Sequence, residues 1–149
     1  MTKQILLVED NASDEKLALL AFKKCSVPNE IVVARDGADA LDYVFATGKY
    51  ADRDPTARPA LILLDLKLPR ISGLDVLSRI RASPETRLLP VVVLTASRED
   101  EDLTRSYALG ANAYLRKPVD FVEFSEAVRT LAAFWLRFNE LAPAVRGAT

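Results

Sequence analysis

The chain has 149 residues, half of them hydrophobic and 28% charged, with a formal net charge of -1. That length fits one domain with a full core, and the charge provides no basic field to displace counterions from nucleic-acid phosphates. There is no histidine, and Cys25 is the single cysteine, which excludes Ser-His-Asp and Cys-His catalysis, histidine-ligated metals, an internal disulfide and a thiolate zinc cage.

No apolar run approaches the ~20 residues that span a bilayer. The start, MTKQILLVEDN, turns acidic after a short apolar stretch, unlike a signal peptide. Together these features predict a cytoplasmic protein with neither a membrane nor a nucleic acid as partner.

Short apolar runs alternate with amphipathic stretches along the chain. QILLV (4–8) reads as a strand, and the pattern from 12 to 25 as a helix. EIVVA (30–34) follows as a second strand, then a helix opening at the Asp36-Gly37 pair. ALILL (60–64) is the third strand, and SGLDVLSRIRA the third helix, with Ser72 as its N-cap. LPVVVL (89–94) is the fourth strand. The helix after it starts beyond Ser97, carries Glu99, Asp100, Glu101 and Asp102 at its N-terminus, and stops at Gly110. AYLR (113–116) is the fifth strand, and the last helix runs from near Asp120 through FVEFSEAVRTLAAFWLRF. Segment 48–59 is a long loop by the usual ~2–6 residue standard, and 142–149 (APAVRGAT) reads as a flexible tail after a domain spanning 1–141.

Four of the five strands are nearly unbroken Val, Ile and Leu, as strands covered on both faces are. Five successive βα units predict an α/β fold, a doubly wound parallel sheet with helices on both faces.

In such a sheet, ligands gather outside the carboxyl ends of the strands. The first strand leads to Glu9 and Asp10, the third to Asp65, the fourth to Thr95, and the fifth to Lys117 and Pro118. Three neighbouring carboxylates repel unless one is protonated or a cation sits among them. All-oxygen ligands suit a hard divalent ion, Mg²⁺ in particular. A lysine supplies a compact positive charge for a phosphate oxygen. A carboxylate facing a phosphoryl group is a competent nucleophile that forms an acyl phosphate, and the Thr95 hydroxyl is placed to donate to its oxygens. Each residue alone has a plainer reading, as a solvated strand end or a surface charge. Jointly, five independent accidents would have to land on one edge.

ILLVEDN, LILLDLKLPRISG, VVLTAS and AYLRKP, in that order, resemble the receiver domains of two-component response regulators over about residues 3 to 137. The resemblance implies a five-stranded flavodoxin-like sheet in the order 2-1-3-4-5. It implies Asp65 as phosphoacceptor and Mg²⁺ held by Asp10, Asp65 and the backbone carbonyl of Lys67, with Glu9 acting indirectly. Thr95 and Lys117 would bind the phosphoryl group, which a sensor histidine kinase would donate. Thr95 and Tyr114 would form the conformational switch, while Lys67 and Ser97 occupy the positions that tune phosphoryl lifetime. Tyr114 is equally well read as a half-buried strand aromatic.

On the last helix Phe121, Phe124, Val128, Leu131, Trp135 and Phe138 follow one stripe, expected to be core. Phe134, Leu136 and Leu141 fall partly outside it. The surplus predicts either a wider core beneath the 48–59 loop or, slightly favoured, a self-association surface formed by Phe134, Trp135 and Phe138. The long loop and the FWL helix also resemble stand-alone receivers paired with phytochrome-type kinases, which implies a homodimer through the C-terminal half and a light-sensing pathway.

The leading expectation is therefore a response regulator that catalyses only its own phosphorylation and dephosphorylation. An aspartate-dependent small-molecule phosphatase is the alternative from another class, but VEDNAS lacks a second spaced aspartate and no insertion resembles a cap. A receiver-like binding module that is never phosphorylated would be expected to lack a site residue, and none is lacking.

Overall fold

The computed structural model describes residues 2–143. Five strands, β1 (Lys3–Val8), β2 (Asn29–Ala34), β3 (Leu61–Leu64), β4 (Val91–Thr95) and β5 (Ala113–Arg116), form one parallel sheet in the order β2-β1-β3-β4-β5. Five helices alternate with them: α1 (Ala12–Lys24), α2 (Gly37–Phe45), α3 (Gly73–Ala82), α4 (Asp100–Ala108) and α5 (Phe121–Ala132). The expected class and strand order are those observed. No helix among the described residues is long and apolar enough to cross a membrane.

Strand side chains alternate between faces with period two, so the apolar runs feed two separate cores. Leu6, Val8, Ile62, Leu64, Val91 and Val93 pack with α2 and α3 on one side. Ile5, Leu7, Leu61, Leu63, Val92 and Leu94 pack with α1 and α5 on the other. Four helix starts are fixed by short polar caps that satisfy otherwise orphaned amides: Asn11, Asp36, Ser72 and Asp120 each accept a first-turn N–H. β4 begins later than the apolar run suggests, because Pro90 has no N–H to give the ladder.

The segment 48–59 is less irregular than its composition suggests. Gly48–Tyr50 forms a short 3₁₀ turn, and Arg53 donates to the carbonyls of Tyr43, Asp54 and Ala57 while lying over the Tyr43 ring. Arg58 reaches Ala142 O at 2.7 Å, so this end of the expected tail is held against the loop. Residues 144–149 of that tail lie outside the described residues.

The last helix departs from expectation in one respect. After Ala132 it widens into a π-helical stretch, Ala133–Phe138, closed by Asn139 N–H on Phe134 O at 2.8 Å. In a wider turn each residue advances less about the axis, so the inward position arrives one residue later. Leu136, expected outside the stripe, is 1% exposed; Phe121 and Phe138, expected in the core, are 56% and 68% exposed. Trp135 is half-buried. The core stripe is thus Phe124, Val128, Leu131, Ala132 and Leu136. Leu136→Ala should cost about 2–4 kcal/mol of unfolding free energy in urea titrations, and Phe138→Ala within about 0.5 kcal/mol. Equal costs would mean that the α-helical stripe continues.

Candidate functional site

Register brings the acids together. Val8 pairs with Ala34 on one side and Leu64 on the other, so β1 and β3 end level. The ladder runs one residue further, with Asp65 N–H on Val8 O at 3.1 Å and Glu9 N–H on Ala34 O at 2.9 Å. Across the sheet Lys117 N–H bonds Thr95 O at 2.7 Å, just beyond the last residue of β5. Gly73 closes the floor: a Cβ there would sit 2.1 Å from Asp65 O and 2.6 Å from Leu66 Cα. This contact accounts for the turn that follows β3, where Leu66–Ser72 must fold back so that α3 starts directly against the strand end.

Asp65 is buried, and both its oxygens accept hydrogen bonds. Thr95 Oγ1 donates to Oδ1 at 2.8 Å, with the Lys67 N–H adding a longer contact at 3.3 Å, and Lys117 Nζ donates to Oδ2 at 2.9 Å. Lys117 also meets Glu9 Oε1 at 2.7 Å and Asp14 Oδ2 at 2.8 Å, so its three N–H donors have three carboxylates. Glu9 accepts Asn11 N–H on its other oxygen at 3.1 Å. Carboxylate oxygens of Glu9, Asp10 and Asp65 lie within 4.8 Å of one another, and Asp10 is exposed. That donor set, all oxygen and open on the Asp10 side, suits a hard divalent cation. The Lys67 side chain is exposed. Ser97 is buried on the far side of Thr95, and Tyr114 packs against the α2–α3 core with its hydroxyl 3.3 Å from Ser97 O.

Every residue expected at the site is at this edge. Asp14 was not expected there: an acid in a helix's first turn is ordinarily a partner of the helix dipole, and nothing in the sequence says it turns toward Lys117.

Electrostatically the cluster is overloaded with negative charge. Burial pushes the Glu9 carboxyl up, and the hydrogen bond and charge of Lys117 recover only part of that, leaving it at about 7. For Lys117 burial acts downward, but the contacts with Asp14, Glu9 and Asp65 outweigh it and hold the ammonium well above its ordinary value.

The response regulator receiver domain family matches residues 5–129. The chain belongs to this family. The receiver is 40% identical over 135 residues to the probable methanogenesis regulatory protein FilR2 of Methanothrix harundinacea, covering 91% of this chain and 84% of that protein. It is 38% identical over 134 residues to response regulator Rcp1 of Synechocystis, covering 90% and 89%. The Mn²⁺-bound structure of Rcp1 superposes with a TM-score of 0.88 at 37% identity, covering 95% of this receiver and 99% of that chain. The bacteriophytochrome response regulator AtBRR is 52% identical with a TM-score of 0.74, covering 94% and 99%.

Two outcomes test the electrostatics. The folded receiver holds the Glu9 proton up to about 7, where an unperturbed glutamate loses it near 4.5. Between those values the folded state binds more protons than the unfolded one. This group's contribution is therefore complete below the lower value and lost as pH rises through the upper. Glu9→Gln should flatten the corresponding fall in unfolding free energy, followed by urea titration across that window; an unchanged slope would place the titration elsewhere. Lys117→Met, which leaves three acids without their cation, should cost about 3–5 kcal/mol at pH above 7 and less at lower pH, where Glu9 is neutral.

Proposed function

We propose that this response regulator accepts a phosphoryl group on Asp65 from the phosphohistidine of a sensor kinase. The observation that carries the reading is the Asp65 carboxylate itself, buried and gripped by Thr95 on one oxygen and Lys117 on the other. An Asp65 oxygen attacks phosphorus, the phosphorus–nitrogen bond breaks, and the imidazole leaves as a neutral ring after taking a proton from solvent. Lys117 and Thr95 then shift their donors to the new phosphoryl oxygens, whose charge they are placed to offset. Water later attacks phosphorus, returning the carboxylate and releasing phosphate.

Asp10, Asp65 and the Lys67 carbonyl are the groups that would hold Mg²⁺. Glu9, both of whose oxygens already accept protein donors, would act through water. The acidic cluster and the Mn²⁺-bound form of Rcp1 support a divalent site. When bound, the ion offsets the repulsion between Asp65 and an incoming phosphoryl group. Ser97 and Lys67 are read as lifetime-tuning positions, and Thr95 with Tyr114 as the switch.

The likeness to AtBRR favours a phytochrome-type kinase as donor, and with it a cytoplasmic setting. Exposed Val119, Phe121 and Val122, immediately after Lys117 and Pro118, give such a partner an apolar footing beside Asp65. Phe134 and Phe138 are exposed and Phe134 stacks edge-on against Trp135 at 5.0 Å, which supports a homodimer through the C-terminal half. Residues 1–141 form the receiver unit in this reading, since Leu136 in the π-helical turn still belongs to its core.

Incubation with acetyl phosphate and Mg²⁺ should add one phosphoryl group, seen by mass spectrometry and absent in Asp65→Asn. Turnover of many phosphate esters would favour a small-molecule phosphatase instead, and no adduct with any donor would favour a binding module. Transfer should be fastest from a phytochrome-type kinase in a panel of kinases; preference for another class would discard the light-sensing link. Trp135→Ala with Phe138→Glu should halve the mass seen by light scattering, and a monomeric parent protein would refute the dimer.

A further inference from the structure

Ser97 sits between Asp65 and α4 and uses every polar group it carries. Its N–H points to Thr95 Oγ1 at 3.4 Å, its carbonyl accepts the Tyr114 hydroxyl at 3.3 Å, and its Oγ accepts Glu99 N–H at 3.3 Å. The fourth contact is the shortest: Ser97 Oγ donates to Asp102 Oδ2 at 2.5 Å. A hydroxyl on a carboxylate is the strongest class of bond in this set.

The plain reading of Asp102 is a negative charge at a helix N-terminus. Asp100 and Glu101 already supply that role in the same turn, and both are exposed to solvent, whereas Asp102 is half-buried and turned toward the loop. Glu99, the N-cap, makes no side-chain cap bond, so α4's first turn is tied to the loop through Ser97 Oγ. Asp102 also accepts Ser106 Oγ on its carbonyl at 2.7 Å, which secures its own backbone one turn on.

We propose that Asp102 is a positioning residue whose carboxylate holds Ser97, and through it the β4–α4 loop, where Thr95 meets Asp65 and Tyr114 meets Ser97 O. The hydroxyl of Ser97 has two fixed partners, one for its proton and one for a lone pair. Losing the Asp102 acceptor frees it to rotate, and the carbonyl and N–H on either side of it lose their aim. The effect on Asp65 is indirect, passing through Ser97 and Thr95. Its functional consequence rests on Asp65 being the phosphoacceptor; its geometric consequence does not.

The test uses the full chain labelled with fluorotyrosine, the Tyr114 signal being assigned with Tyr114→Phe. In unphosphorylated protein, Asp102→Ala should shift or broaden that signal, and Ser97→Ala should do the same. With acetyl phosphate, each should slow phosphorylation by about ten-fold, the scale of one charge-assisted hydrogen bond. The double variant should be no slower than Ser97→Ala alone, because the Ser97–Asp102 bond is already absent from it. Asp102→Asn keeps an oxygen acceptor and should restore most of the rate and the parent signal. Additive effects, an unmoved Tyr114 signal, or an Asn variant as impaired as the Ala variant would overturn the proposal, the last assigning Asp102 to the helix dipole. A parent protein that takes no phosphoryl group would overturn the Asp65 reading instead, while the fluorine signal would still decide the role of Asp102.

Discussion

One ammonium group organises this edge of the sheet. Lys117 Nζ has three N–H bonds and gives them to Glu9, Asp14 and Asp65, contributed by the end of β1, the first turn of α1 and the end of β3. With Asp10 the pocket has four carboxylates against one buried cation, an imbalance of three negative charges when all are ionised. Burial, only partly offset by Lys117, lets Glu9 retain its proton to about 7, and the charge excess suits the cluster to a second cation. A buried ion pair seldom stabilises a fold over an apolar equivalent. Retaining four acids here is therefore better understood as the cost of chemistry than as a contribution to stability.

The sheet makes that convergence possible by being unremarkable. β1 from Ile5, β3 and β4 are short apolar runs with both faces covered, so their register is set by two cores at once and a slip of one residue would put each side chain in the wrong layer. The less buried β5 is held in register by its ladder with β4. β1, β3 and β5 therefore deliver their last residues reproducibly, although β5 lies two strands from β3. At Gly73, α3 begins against Asp65 O with no room for a Cβ. That close packing at Gly73 lets the chain turn at once after β3, with the Asp65 carboxylate facing Lys117 and Thr95.

That regularity also decides what was legible. Strand class and the ends of β1, β3 and β4 follow from unbroken Val, Ile and Leu runs and the polar residue after each, whereas β5 rests on the short AYLR run before Lys117 and the sheet order on the family resemblance. The contacts formed by helices were harder to foresee. Asp14 sits where acids usually serve the helix dipole, and its reach to Lys117 depends on how α1 leans on the sheet. Asp102 lies five residues from Ser97 across a loop–helix boundary, a spacing no periodic pattern marks. The stripe on the last helix failed for a simpler reason: it assumed 3.6 residues per turn to the end, and the π-helical stretch after Ala132 hands the inward position from Trp135 to Leu136.

The two layers of the core also divide the side chains of β5. Tyr114 packs into the layer formed with α2 and α3, while its neighbours Ala113 and Leu115 pack into the layer of α1 and α5. Lys117 follows directly on this strand, so Asp65 is linked to β5 both through this lysine and through the Thr95–Ser97–Tyr114 contacts. Tyr114 thus meets the β4–α4 loop through its hydroxyl on Ser97 O. Phe134 and Phe138 project from the helix that covers the opposite layer. The proposed self-association through those rings would lie on the layer opposite the Ser97–Asp102 contact.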